Sequence, residues 1–159
     1  MEKKCINISY TEYASINELG TSDHQLLKTA IAAADSAYAP YSSFNVGAAV
    51  KLSNGEIVAG SNQENAAYPS GLCAERTTIF YAHAKFPEAS VETIALAAKQ
   101  NGVLTEKFTY PCGACRQVLH ESQLRSGAPI RVIVGSATKV IVLESVNDLL
   151  PFAFDNLIQ

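Results

Sequence analysis

The chain has 159 residues, 48% hydrophobic and 17% charged, a balance that fits one globular domain with its own core and excludes a disordered chain. Twelve Lys and Arg against fifteen Asp and Glu leave a net charge of −3, which argues against sequence-independent nucleic-acid binding, because that needs phosphate-neutralising cations. The longest apolar runs, such as Ala30 to Ala34, are far too short for a membrane span.

The N-terminus opens on Glu2-Lys3-Lys4 and has no continuous apolar leader, so a cytoplasmic, non-membrane protein is expected. Alternation over residues 5–11 predicts a short strand. Thr21-Ser22-Asp23 offers helix caps, and Leu26, Leu27, Ala30, Ile31, Ala34 and Ala37 follow at helical spacing until Pro40. Phe44 to Leu52 and Glu56 to Ser61 read as strands joined at Asn54-Gly55, a hairpin signal in which both turn residues take positive φ. A second helix is expected from Cys73 to about Ala84. A buried strand follows over Val91 to Ala98, and a long connection over Gln100 to Tyr110. A third helix runs from Cys112 to about Gln123, stopped by Gly127 and Pro129. Strands at Ile130 to Val134 and Lys139 to Leu143, then a short helix over Ser145 to Leu150, complete the chain. Strands and helices interleave and one hairpin is antiparallel, so the expected fold is an α/β three-layer α-β-α sandwich around a mixed β-sheet.

Four cysteines occur, at positions 5, 73, 112 and 115. In a reducing compartment, clustered cysteines read as metal ligands or catalytic thiols before disulfides. Cys112-x-x-Cys115 puts two sulfurs within one turn at a helix start, and Cys73 stands at the start of another helix. The positive end of a helix favours the thiolate that zinc requires. Three ligands leave a tetrahedral zinc with an open position, the catalytic pattern, where a bound water is activated. Glu75, two residues from Cys73, is placed to move that water's proton without binding the ion. Cys112-x-x-Cys115 alone also suits a redox pair or half a structural zinc site. Cys5 could close such a site as a fourth ligand, but a closed site gives Glu75 no purpose. A Cys5 thiol left free is the simpler expectation.

Together these residues resemble the zinc-dependent cytidine deaminase superfamily, in which His or Cys, x, Glu is followed by Pro-Cys-x-x-Cys. Cys73-Ala74-Glu75-Arg76-Thr77 and Pro111-Cys112-Gly113-Ala114-Cys115-Arg116-Gln117 are similar to the small homotetrameric free-nucleoside cytidine deaminases. So are Tyr38-Ala39-Pro40-Tyr41-Ser42, Phe44-Asn45-Val46-Gly47-Ala48 and Asn62-Gln63-Glu64-Asn65-Ala66-Ala67-Tyr68. The likeness runs from about residue 22 to Leu149-Leu150-Pro151, giving a single catalytic domain at 22–159 behind an N-terminal extension, an added strand, at 1–21.

The resemblance implies hydrolytic deamination of cytidine and 2′-deoxycytidine to uridine and 2′-deoxyuridine, in pyrimidine salvage. It implies one Zn²⁺ per subunit on Cys73, Cys112 and Cys115. Zinc-bound hydroxide would attack C4 while Glu75 shuttles protons. Three thiolates and Zn²⁺ sum to −1, and Arg76 matches the family position that offsets this charge, with Arg116 a second candidate. Asn62 and Glu64 map to ribose contacts, Phe44 to a ring stacked on the pyrimidine, and the main chain of Ala74 and Ala66 to base contacts. The tetramer implies pocket residues from neighbouring subunits, mapping to Tyr68 and Phe154, with Phe152 competing for the latter place. A modified cytosine nucleoside such as blasticidin S is the alternative substrate; Asn62-x-Glu64 favours the ordinary nucleoside. His24, His83 and His120 are expected to be structural or exposed. Tyr110 departs from the pattern, which has a serine before the Pro-Cys block.

Overall fold

The computed structural model describes residues 1–155. Seven strands and three α-helices are formed among them: β1 (Thr11–Tyr13), α1 (Thr21–Ala33), β2 (Phe44–Leu52), β3 (Ile57–Ser61), α2 (Ala74–Lys85), β4 (Val91–Gln100), β5 (Val103–Leu104), α3 (Gly113–Ser126), β6 (Arg131–Gly135) and β7 (Val140–Leu143). The sheet runs β1-β7-β6-β4-β2-β3, with β5 on the end of β4. The β4–β6 pair is parallel and the others antiparallel, so the sheet is mixed as expected.

Side-chain alternation along the strands builds two cores. Ala49, Ala95, Ala97, Ile133, Val140 and Val142 face one way and pack on Leu26, Leu27 and Ala30 of α1. Their sequence neighbours Ala48, Val50, Ile94, Leu96, Val132, Val134 and Ile141 face the other way, against Ile79 and Ala82 of α2 and Leu119 of α3. This is the three-layer sandwich, with α1 alone on one face and the two cysteine-bearing helices together on the other. The alanines of β2 and β4 let α1 approach closely. Gly47 is where the approach is tightest: a Cβ there would lie 2.0 Å from the Ala30 carbonyl oxygen and 2.5 Å from the Ala34 nitrogen.

Several boundaries differ from the sequence reading. The first strand covers Thr11–Tyr13 instead of 5–11, because its only partner among the described residues is β7, which pairs with it over Val140 to Val142 and ends at Leu143. The α1 N-cap is Gly20, with no side-chain cap; Thr21, Ser22 and Asp23 lie inside the first turn. The helix then tightens into a 3-10 turn at Ala34–Ser36, short of Pro40. In the β2–β3 hairpin only Gly55 has positive φ (+87°). The Gly55 N–H donates to the Leu52 carbonyl and the Leu52 N–H to the Glu56 carbonyl, a three-residue loop closed by a left-handed glycine rather than a two-residue one. The 100–110 connection contributes β5, and Ser145 to Leu150 holds only a 3-10 turn at Val146–Asp148.

Candidate metal centre

Cys73 and Cys112 are the N-caps of α2 and α3, and Cys115 lies in the first turn of α3. Packing α2 beside α3 on one sheet face brings both helix starts together. The three sulfurs lie within 4.8 Å of one another, and Cys73 Sγ is 3.8 Å from Cys112 Sγ. A tetrahedral zinc with Zn–S bonds of about 2.3 Å sets its sulfurs about 3.8 Å apart, so the spacing fits the ion. No histidine or carboxylate joins this group among the described residues, and Cys5 is a free, exposed thiol.

The sulfurs divide their charge unequally. The hydrogen bond from Cys115 lowers the Cys73 pKa, against the cost of its burial and with help from Arg76, while the same pairing and burial raise Cys115. Arg76 Nη2 stands 4.0 Å from Cys73 Sγ. Burial opposes its charge, but the sulfurs outweigh that and hold its pKa above the ordinary value. Its Nε is buried with no partner, a free N–H beside an anionic cluster. Arg116 is occupied differently: Nε donates to the Pro111 carbonyl (2.9 Å) and Nη1 to the Leu149 carbonyl (2.8 Å). It braces the ligand loop and not the sulfurs.

Glu75 is only 6% exposed, which is rare for an unpaired carboxylate. Burial pushes its pKa up and the Cys73 charge adds to this, while its own N–H and the Cys115 thiol pull the other way. A carboxyl raised in pKa beside a metal cluster is suited to hold and release a proton. Ala74, fully buried, is the first residue of α2, where helix N–H groups have no intrahelical partner.

The 62–64 stretch is held between two neighbours: Gln63 bridges to Tyr38 on one side and Leu72 on the other. Asn62 is turned onto β2. Its Oδ1 accepts from the Val46 N–H (2.7 Å) and its Nδ2 donates to the Phe44 carbonyl (2.9 Å). Glu64 accepts from the Tyr41 and Ser42 N–H groups (2.9 and 3.3 Å) and from the Ser42 hydroxyl. The Ser42 hydrogen bond, then the Tyr41 one, hold its carboxyl below the ordinary range. These bonds shape the turn before Phe44, where Ser43 takes φ +52° and its carbonyl accepts from Gln100 Nε2 (2.9 Å). A non-glycine residue held left-handed is often found at functional sites. Phe44 itself is half-buried.

The remaining expected site residues are on the surface. Ala66, Tyr68, Phe152 and Phe154 are exposed, Tyr68 at 90%. Phe154 is fixed through its backbone: Gln117 Nε2 donates to its carbonyl (2.7 Å), and its N–H donates to Gln117 Oε1 (3.3 Å). Sequence reasoning missed the supports Ser42, Gln100 and Gln117. Each is an ordinary polar residue whose partner is 22 to 57 positions away, so local pattern carries no trace of it. His83 bonds Ser122 across α2 and α3 (2.8 Å), and His120 is buried near Asp155 (3.7 Å); neither joins the sulfurs.

Residues 20–128 match the family model described as the cytidine and deoxycytidylate deaminase zinc-binding region. The chain is 40% identical over 129 residues to a cytidine deaminase of Halalkalibacterium halodurans, covering 81% of this chain and 91% of that protein. It is 36% identical over 134 residues to a cytidine deaminase of Mycobacterium tuberculosis, covering 82% and 88%. The crystal structure of cytidine deaminase from Burkholderia pseudomallei superposes with a TM-score of 0.67 at 40% identity, covering 82% of this chain and 98% of that one. For the M. tuberculosis crystal structure the TM-score is 0.65 at 32% identity, covering 82% and 95%.

Proposed function

Since the chain belongs to the cytidine and deoxycytidylate deaminase zinc-binding family, we propose that it hydrolyses free cytidine and 2′-deoxycytidine to uridine and 2′-deoxyuridine, releasing ammonia. One observation carries the reading: three sulfurs at zinc spacing stand beside a buried glutamate, with an arginine against one of them. Zinc held by Cys73, Cys112 and Cys115 would supply an activated water as the nucleophile.

The chain's own groups do the rest. Glu75 takes a proton from the attacking water and delivers it to ring N3 as C4 becomes tetrahedral, then takes the second proton from the new C4 hydroxyl and gives it to the departing amine. Its raised pKa supports this, because a carboxyl that is too acidic would not return the proton. Arg76 offsets the negative charge on the sulfurs. The Ala74 main chain and, on the loop rim, Ala66 contact the base. Phe44 stacks on the pyrimidine. Asn62 and Glu64 meet the sugar hydroxyls with the hydrogen-bonding capacity left over from their backbone contacts, since an amide and a carboxylate can each make further bonds.

The exposed aromatics Tyr68 and Phe154 support a pocket completed between subunits of a homotetramer. A ligand set of free thiols suits the reducing cytoplasm. Residues 22–159 form the catalytic domain and 1–21 an extension that adds β1 to the sheet edge. The test is ultraviolet-monitored conversion of cytidine and 2′-deoxycytidine by zinc-loaded protein. Turnover of both is expected. Inactivity on both with zinc bound would overturn the substrate assignment.

A further inference from the structure

The N-terminal segment has no part in the deaminase reading. The matched family segment starts at residue 20, and residues 1–10 carry no regular secondary structure. Yet Ile6, Ile8 and Tyr10 are apolar and 52%, 48% and 60% exposed. They alternate, so an extended backbone puts all three on one face, together with Glu12. The segment leads directly into β1, the last strand of the sheet, whose inner edge pairs with β7. An open edge strand that is apolar on one face and free of proline is a template for another strand.

The residue pattern selects the partner. When two copies of residues 4–12 are laid antiparallel with Ile8 on the two-fold axis, Ile8 faces Ile8, Ile6 faces Tyr10 and Lys4 faces Glu12. On the other face, Cys5 meets Thr11 and Asn7 meets Ser9. Apolar pairs occupy the centre and opposite charges close both ends, the arrangement that favours cross-strand pairing. Moving the axis to Asn7 puts Lys4 opposite Tyr10 and Glu2 opposite Glu12. Moving it to Ser9 puts Ile6 opposite Glu12. Only the register centred on Ile8 is complementary throughout.

We propose that two copies of this chain associate through their N-terminal strands, paired antiparallel about Ile8, so that the sheet continues across the two-fold axis. The pairing is isologous and closes on itself, which limits it to two strands. Thr11 to Tyr13 on β7 and the Glu12–Lys139 ion pair fix where the strand leaves each subunit. None of its residues is a sulfur ligand, and the proposal stands whether or not the deaminase reading does.

A cysteine register scan on the full chain tests it, in a Cys5→Ser background whose activity is expected to be unchanged. Under mild diamide oxidation, Ile8→Cys is expected to give a covalent dimer, mapped by mass spectrometry to a peptide joined to its own copy. Ile6→Cys and Tyr10→Cys alone are expected to give none, and the two together are expected to give a dimer joined between positions 6 and 10. Adding Lys4→Glu to Ile8→Cys should reduce the cross-link, because a carboxylate at position 4 then faces Glu12 at both ends. In the unmodified chain, amides 5–10 should become protected from hydrogen exchange as concentration rises. Amides that exchange freely at every concentration, or cross-linking that is equal at positions 6, 8 and 10, would overturn the proposal.

Discussion

Asn62→Ala separates two uses of one side chain. The amide donates to the Phe44 carbonyl and accepts from the Val46 N–H, at 2.9 and 2.7 Å. Both partners are part-buried main-chain groups of β2, before its ladder with β3 begins at Gly47. Each bond contributes about 1 kcal/mol net, and stranding a partly buried partner adds to that, so the loss should be about 2–3 kcal/mol. For a chain of this length that lowers Tm by about 4–12 °C. Asn62→Asp keeps the acceptor for Val46 but turns an oxygen towards the Phe44 carbonyl, so it should recover no more than half of the loss. The assay is thermal unfolding of zinc-loaded variants, with KM for cytidine measured alongside. KM should rise as well, because Phe44 loses its anchor. An unchanged Tm with a raised KM would refute the reasoning, since the amide would then serve substrate alone.

Gly47→Ala drives a methyl group into the α1 backbone at 2.0 Å; we expect a loss of about 1–3 kcal/mol or more, read as a lower urea midpoint, and a midpoint equal to wild type would contradict the close approach. Glu64 is held below its ordinary value of 4.5 by Ser42 and Tyr41. Its stabilising contribution is therefore full above that value and is lost as pH falls through the lowered one. Tm measured from about pH 6 downward should fall more steeply for wild type than for Glu64→Gln, whereas parallel curves would show that the carboxylate bonds do not form in solution.

The layers were legible in the sequence because they rest on local patterns. The apolar runs of β2 and β4 and the helical spacing of Leu26, Leu27 and Ala30 depend only on neighbouring residues. The cluster was legible because Cys73-x-Glu75 and Cys112-x-x-Cys115 together make one pattern at two helix starts, whereas Cys112-x-x-Cys115 alone has other uses. Ends were harder. Residues 5–10 alternate like a strand but have no strand partner among the described residues, and strand formation depends on the partner. The Asn54-Gly55 turn misled because one left-handed glycine closes a three-residue loop as well as a two-residue one. The double engagement of Asn62 was invisible, since its partners are main-chain atoms 16 and 18 positions earlier. The same holds for Arg116, whose charge next to Cys115 suggested the sulfurs while its geometry serves two carbonyls.

The central claim is that the three cysteines hold the metal and Glu75 moves the protons. Zinc content and cytidine turnover should be measured together on purified wild type and Glu75→Gln. We expect one zinc per chain in both, and turnover reduced by about 10²–10⁴-fold or more in the variant. Turnover within a few-fold of wild type at full zinc occupancy would contradict the account.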